Sequence, residues 1–134
     1  MSAQNVEIVR RIYAEFERGD FAAAVEWYAP DIRFETYMPD ASENVTAQGL
    51  AALRTFMREW LGQWENYRVI ADEFREVGDD RVFVGGRQAA SGHQSGVEVE
   101  SPGFSVWTFR DGKVVSLFLH YDRAKALEAA GLSE

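Results

Sequence analysis

The amino-acid sequence predicts an α+β fold, with helices gathered on one face of a bent antiparallel sheet and an internal chamber between the layers. Three observations carry this expectation. Residues 104–121 hold two apolar runs on either side of Asp111-Gly112, the dipeptide of a type I′ hairpin turn, whose central residues both need positive φ. The N-terminal half instead repeats apolar side chains at helical spacing. The elements also run in the order helix, helix, strand, helix, and then strands joined by hairpins.

Residues 5–18 place Ile8 or Val9, Ile12, Tyr13 and Phe16 on one stripe, and Arg18 and Gly19 end the helix with a cation and an αL stop. Asp20 caps a shorter helix through Phe21, Ala24, Val25 and Tyr28, which Pro30 ends. Ile32, Phe34 and Thr36 alternate with Arg33 and Glu35 as a first strand. Residues 37–48 have turn chemistry and no period, a loop long enough for a lid or rim. Gly49–Gln63 forms the next helix, with Leu50, Leu53, Phe56 or Met57, Trp60 and Leu61 on its apolar side. Tyr67–Glu76 reads as a strand, Gly78-Asp79-Asp80 as a turn, and Arg81–His93 as a long strand with a bulge or bend at Gly85-Gly86. Gln94-Ser95-Gly96 turns the chain into Val97–Glu100, and Pro102-Gly103 interrupts that strand.

In the final hairpin, alternation puts Ser105, Trp107 and Phe109 on one face of the first strand. Val115, Leu117, Leu119 and Tyr121 form an apolar row expected to face the core. Val114, Ser116, Phe118 and His120 take the opposite face. Asp122 caps a last helix that packs through Ala124, Leu127 and Ala130 and stops at Gly131.

A chain of 134 residues, 46% hydrophobic with four tryptophans, suits one domain over 1–134 with a core that needs no staples. The net charge of −8 and the lack of any basic block make nucleic acid and anionic membranes poor partners. With no cysteine, disulfides, thiolate catalysis and thiolate-bound zinc are excluded. No signal architecture and no run long enough to span a bilayer are present, so a cytoplasmic setting is expected.

Gly19–Glu35 (GDFAAAVEWYAPDIRFE), Gly49–Phe56 (GLAALRTF), Phe109–Val115 (FRDGKVV) and Tyr121–Leu132 (YDRAKALEAAGL), in this order and spacing, resemble the nuclear transport factor 2-like superfamily and, within it, the SnoaL-like domains. The resemblance covers essentially the whole chain. It implies a sheet of about five to six strands curled into a cone and plugged by three helices from the N-terminal half, with a short C-terminal helix. Members include steroid isomerases, epoxide hydrolases, polyketide cyclases and non-catalytic binding modules. Carried over residue by residue, the isomerases' carboxylate base falls on Thr36, their helix-one tyrosine on Ile12 and their protonated aspartate on Ser105. The last-strand aspartate shared by the cyclases and hydrolases falls on Leu119. The hydrolases' Arg-x-Asp pair falls on Arg87 and Ala89, so of these groups the arginine alone is retained.

The candidate residues follow from face and chemistry. Arg87 shares a strand face with Phe83, Ala89, Ser91 and His93. If that face lines the chamber, the guanidinium can fix a carboxylate or enolate; if not, it reaches solvent or a glutamate such as Glu98 or Glu100. His93 is the candidate general base, since imidazole titrates nearest neutral pH. Tyr121 and Ser105 are hydroxyls in apolar rows that need partners, either a ligand or the backbone. Phe34, Thr36, Trp60, Ser91, Ser105, Trp107, Leu117 and Leu119 are the expected ligand-binding wall. His120 and Asp122 make an H-x-D pair with no third ligand, so no metal is expected, and no cofactor.

The leading expectation is a binder of a small apolar or amphipathic molecule, ring-bearing or terpenoid-like. Any catalysis would be proton transfer in isomerisation, cyclisation or hydrolysis, with His93 as base and Arg87 and Tyr121 as donors. The alternative is a non-catalytic association module with a filled interior. Under either reading a homodimer is expected through the outer sheet face at Ser116, Phe118 and His120.

Overall fold

The computed structural model describes residues 2–37, 44–92 and 98–132. Helix α1 (Ser2–Glu17) leads through a 3-10 helix (Ala23–Trp27) into strand β1 (Tyr28–Tyr37). A short strand β2 (Val45–Gln48) precedes α2 (Leu50–Leu61), and then come β3 (Trp64–Val77), β4 (Arg81–Gly92), β5 (Glu98–Arg110), β6 (Lys113–His120) and α3 (Arg123–Ala130). The six strands form one sheet in the order β2-β1-β6-β5-β4-β3. The β1–β6 pair is parallel and the others are antiparallel, so the sheet is mixed. This is the predicted α+β cone.

Local chemistry explains the ends. Asp111 and Gly112 sit at φ of 52° and 77°, the pair of positive values that a type I′ turn requires. The Asp122 carboxylate accepts the Ala124 N–H at 2.9 Å and so caps α3. Asp20 Oδ1 accepts the Ala23 N–H at 3.2 Å where the 3-10 helix starts, although Ala22 is the residue at its N-cap.

Four expectations are corrected. Residues 45–48 are a strand, not loop: β2 is an edge of four residues, too short to show a period, held by its pairing with β1 and by Ala47 against the core. Pro102-Gly103 does not interrupt β5. The pairing with β6 stops at Phe104, so at Pro102 the strand is already an edge and a missing N–H on that side costs no ladder bond. The helices are not all on one face: α1 and α2 pack inside the curl, whereas α3 covers the outer face, where Ala126, Leu127 and Ala130 meet Phe83 and Val106. Finally, a bulge between Thr108 and Phe109 pairs Phe109 with Val114, so Val114, not Val115, is fully buried in the inner core.

The bend expected at Gly85-Gly86 is produced by the neighbouring strand. β3 carries one extra residue, Asp72, between Ala71 (opposite Gly86) and Glu73 (opposite Gly85). At Gly86 a Cβ would lie 2.0 Å from the Ile70 carbonyl oxygen, so the backbones approach to a distance that only glycine permits.

Candidate functional site

The inner face is set by register. β4 and β5 pair without a break from Arg81↔Thr108 to Ser91↔Glu98, which places odd residues of β5 beside even residues of β4. Ser105 and Trp107 point inward and are 2% and 1% exposed. Their neighbours Val84 and Val82 therefore point inward too, as do Gly86, Gln88, Ser101 and Gly103. Around this face the sheet and the helices α1 and α2 line a hollow of about 130 Å³. That is about ten times what one water needs. Its walls are mainly aromatic and aliphatic: Phe34, Phe56, Trp60, Trp107, Leu117 and Leu119 among others.

Polar atoms are few and specific. At the deep end the Trp107 indole N–H donates to Ser105 Oγ at 2.9 Å, and Ser105 Oγ lies 2.8 Å from the Tyr13 hydroxyl. Ser105 and Tyr13 carry two O–H protons between them, and their mutual bond consumes one. The other has no partner among the described residues, and both residues line the hollow, so one donor is left over there. Tyr28 also lines the hollow. Nearer the mouth, the Tyr67 hydroxyl donates to Gln88 Oε1 at 2.5 Å, and Gln88 Nε2 donates to Ser101 Oγ at 3.2 Å.

Burial tunes these phenols in one direction. Desolvation raises Tyr13, against smaller opposing hydrogen bonds from Ser105 and Trp107. Desolvation raises Tyr28 as well, helped by the nearby Tyr13. Tyr67 is pushed up to about 12, again chiefly by burial. All three keep their protons at neutral pH and act as hydrogen-bond donors, not bases.

The predicted site residues divide by position. Phe34, Thr36, Trp60, Ser105, Trp107, Leu117 and Leu119 all line the hollow. Tyr121 lies past the end of β6 and is 39% exposed, so it stands at the mouth and not in the inner row, because the strand ends at His120. Arg87 and Ser91 belong to the odd face of β4, which the register turns outward with Phe83. Arg87 borders the hollow, but its side chain is 44% exposed and its Nε lies 3.6 Å from Glu100 Oε1. Ser91 lies in a shallow surface depression with Asn66, Arg68 and Glu98. His93 falls outside the described residues. No group of three or more potential metal-binding side chains occurs among the described residues.

Ile12, on which the resemblance places the isomerases' helix-one tyrosine, is buried in the core beside Tyr13. Tyr13 is the residue that reaches Ser105, and a tyrosine within an apolar stripe was the available signal, since its hydroxyl needs a buried partner. Tyr28, Tyr67 and Gln88 were missed altogether. His120, assigned to the outer face, also borders the mouth, where it stacks on Tyr37 at 5.3 Å and Tyr121 at 4.8 Å. Its Nδ1 accepts the Asp122 backbone N–H at 2.9 Å, which puts the proton of the neutral ring on Nε2. Burial lowers its pKa, and the Asp122 charge only partly offsets this.

The family profile of the SnoaL-like domain matches residues 9–117. The chain belongs to the SnoaL-like domain family. Among solved structures, this SnoaL-like chain is similar to an NTF2-like protein of unknown function from Burkholderia pseudomallei: 28% identity over 92% of this chain and 95% of that one, with a TM-score of 0.76. It is similar to Bal32a from a soil-derived mobile gene cassette at 21% identity, covering 96% of each chain with a TM-score of 0.76. A candidate SnoaL-like polyketide cyclase from Jannaschia shares 22% identity over 96% of this chain and 92% of that one, TM-score 0.75. These last two likenesses concern the fold alone. No curated protein matches the sequence. No described helix is long and apolar enough to cross a membrane.

Proposed function

We propose that this SnoaL-like chain binds an uncharged, ring-bearing small molecule and polarises a carbonyl or hydroxyl oxygen of it at the Tyr13–Ser105 end of the hollow. The observation that carries this reading is the unspent O–H proton of the Tyr13–Ser105 pair, held by Trp107 and bordering an apolar space. A donor fixed in a low-dielectric cavity stabilises charge developing on an acceptor oxygen far better than water-exposed donors do. Among the described lining residues Arg87 carries the one permanent charge, and it is paired outside, so a charged ligand would meet no counter-charge.

Proton transfer is the chemistry this arrangement favours. A base takes a proton from the carbon next to the carbonyl, the C–H electron pair moves into the C–C bond, and the oxygen becomes an enolate that the Tyr13–Ser105 donor stabilises. The raised tyrosines cannot serve as that base at neutral pH. His93 is the proposed base, and His120 at the mouth has its Nδ1 already engaged. The alternative, an association module with a filled interior, is the weaker reading because the interior is hollow.

The test uses β-tetralone and its hydrocarbon counterpart tetralin. Quenching of tryptophan fluorescence should show the ketone binding about tenfold more tightly, a difference of about 1.4 kcal/mol. Ser105→Ala with Tyr13→Phe should erase that margin. Deuterium uptake next to the carbonyl should be accelerated by the wild type and slowed in both this double variant and His93→Ala. Equal affinity for the two probes in the wild type would overturn the reading.

A further inference from the structure

Gln88 is held from two sides in a way the deep donor does not explain. Tyr67 occupies its carbonyl oxygen at 2.5 Å, and one amide proton goes to Ser101 at 3.2 Å. That fixes which end of the amide is nitrogen and leaves its second N–H as a donor, on a residue that lines the hollow. Gln88 and Ser101 are cross-strand partners on the inward rows of β4 and β5. They lie four positions from Val84 and Ser105, roughly 13 Å along the strands. The hollow therefore has polar groups at two ends.

Between the two ends the inward register position is the pair Gly86↔Gly103, both of which border the hollow. The floor there is bare backbone. A Cβ on Gly103 would have nothing within 4 Å, so the space above it is open and not filled by a neighbour. Phe56, Trp60 and Tyr67 supply aromatic faces to the same space.

We propose that the amide of Gln88, clamped by Tyr67 and Ser101, is a second binding station that selects ligands carrying an acceptor oxygen at each end of a flat, uncharged ring system lying over Gly103. This rests on the reading of the Tyr13–Ser105 end as the first station. Both stations present donors, so a ligand that bears acceptors at both ends satisfies both. A ligand with one such end leaves the Gln88 N–H desolvated and unpaired, and sites built around buried polar groups discriminate against a ligand that lacks the partner.

Biphenyl bearing a para hydroxyl on each ring is the two-ended probe, and biphenyl with a single para hydroxyl is the one-ended probe. Both are followed by tryptophan quenching, with circular dichroism to check folding. The wild type should bind the two-ended probe about tenfold more tightly. Gln88→Leu should abolish that margin while leaving one-ended affinity within about twofold. Tyr67→Phe, which frees the amide to rotate, should reduce the margin without removing it, and Gly103→Val should abolish binding of both probes in a folded protein. Equal wild-type affinities, no binding of either probe, or a Gln88→Leu variant that weakens both alike would overturn the second station. Ser105→Ala separates the two ideas. If it weakens both probes while Gln88→Leu changes no margin, the deep station stands and the second falls. If it changes nothing while Gln88→Leu removes the margin, the second station stands and the deep one falls.

Discussion

The two faces of β4 and β5 are made by the same strands yet are built for different ends. On the outer face Phe83 and Val106 are closed over by Ala126, Leu127 and Ala130 of α3, with all five residues nearly without exposure. Arg123 of α3 lies over the rings of Phe83 and Phe104 and grips Glu73 with two hydrogen bonds, at 2.7 and 3.1 Å. On the inner face, one residue along, the neighbours are Val84, Gly86, Gln88 and Ser105, and the helices leave a hollow. Among the described residues, the outer guanidinium of Arg123 is spent on Glu73 within the protein, whereas inside a hydroxyl proton and an amide proton are left over. A strand alternating between a filled face and an unfilled one keeps its stability on the first and offers the second to a ligand.

The largest effect should come from breaking the filled face. Phe83→Ala removes a ring that is 0% exposed between sheet and α3 and should cost about 3–5 kcal/mol, read as a drop in the urea midpoint. If the faces are independent, whatever folded protein remains should still bind β-tetralone with near wild-type affinity. A loss of binding in step with that of stability would show that the hollow depends on the outer packing.

The next comparison uses two glycines that face each other across one register position. Gly86→Ala would drive a methyl to 2.0 Å from the Ile70 oxygen, and overpacking against backbone should cost about 1–3 kcal/mol or more. Gly103→Ala meets nothing within 4 Å, so it should be neutral or stabilising by up to about 1 kcal/mol while narrowing the hollow. Opposite signs in thermal melts would establish that one glycine serves strand packing and the other the open space. Equal destabilisation would contradict that division.

The sequence announces what is governed by adjacent residues. The Asp111-Gly112 turn, the Asp122 cap and the inward set Ser105, Trp107, Leu117 and Leu119 each depend on chemistry within a few positions. What it could not announce depends on distant register. The face taken by Arg87 follows from how many residues join β4 to β5, since a shift of one residue exchanges the two faces. The bulge at Phe109 and Val114 likewise inverts one short stretch of an otherwise sound alternation. Gln88 drew no notice because an isolated glutamine in a strand carries no motif, and its importance comes from Tyr67 on the neighbouring strand and Ser101 across from it. His93, on which the proposed base rests, lies outside the described residues.

The smallest effect concerns acid. Glu73 is held below the usual carboxylate range, first by its hydrogen bonds from Arg123 and against the opposing cost of burial. A carboxylate with a lowered folded pKa binds fewer protons when folded than when unfolded. Its contribution is therefore complete above the ordinary value of 4.5 and is lost as pH falls through the folded value. Both side chains are about a third exposed, so solvent screening holds the pair to no more than about 1 kcal/mol. Wild type and Glu73→Gln should differ by that amount in urea midpoint at pH 7 and converge at pH values well below 4.5. Among the described lining residues the tyrosines stay protonated throughout this range, and His120, which gains a proton in acid, stands at the mouth and not at the Tyr13–Ser105 end. Acid should therefore loosen α3 before it alters the binding of a neutral probe. Hydrogen exchange at pH 4 that exposes Ala126 and Leu127 while β-tetralone affinity holds would separate the two faces by a single titration, and affinity that fell in parallel with that exposure would join them.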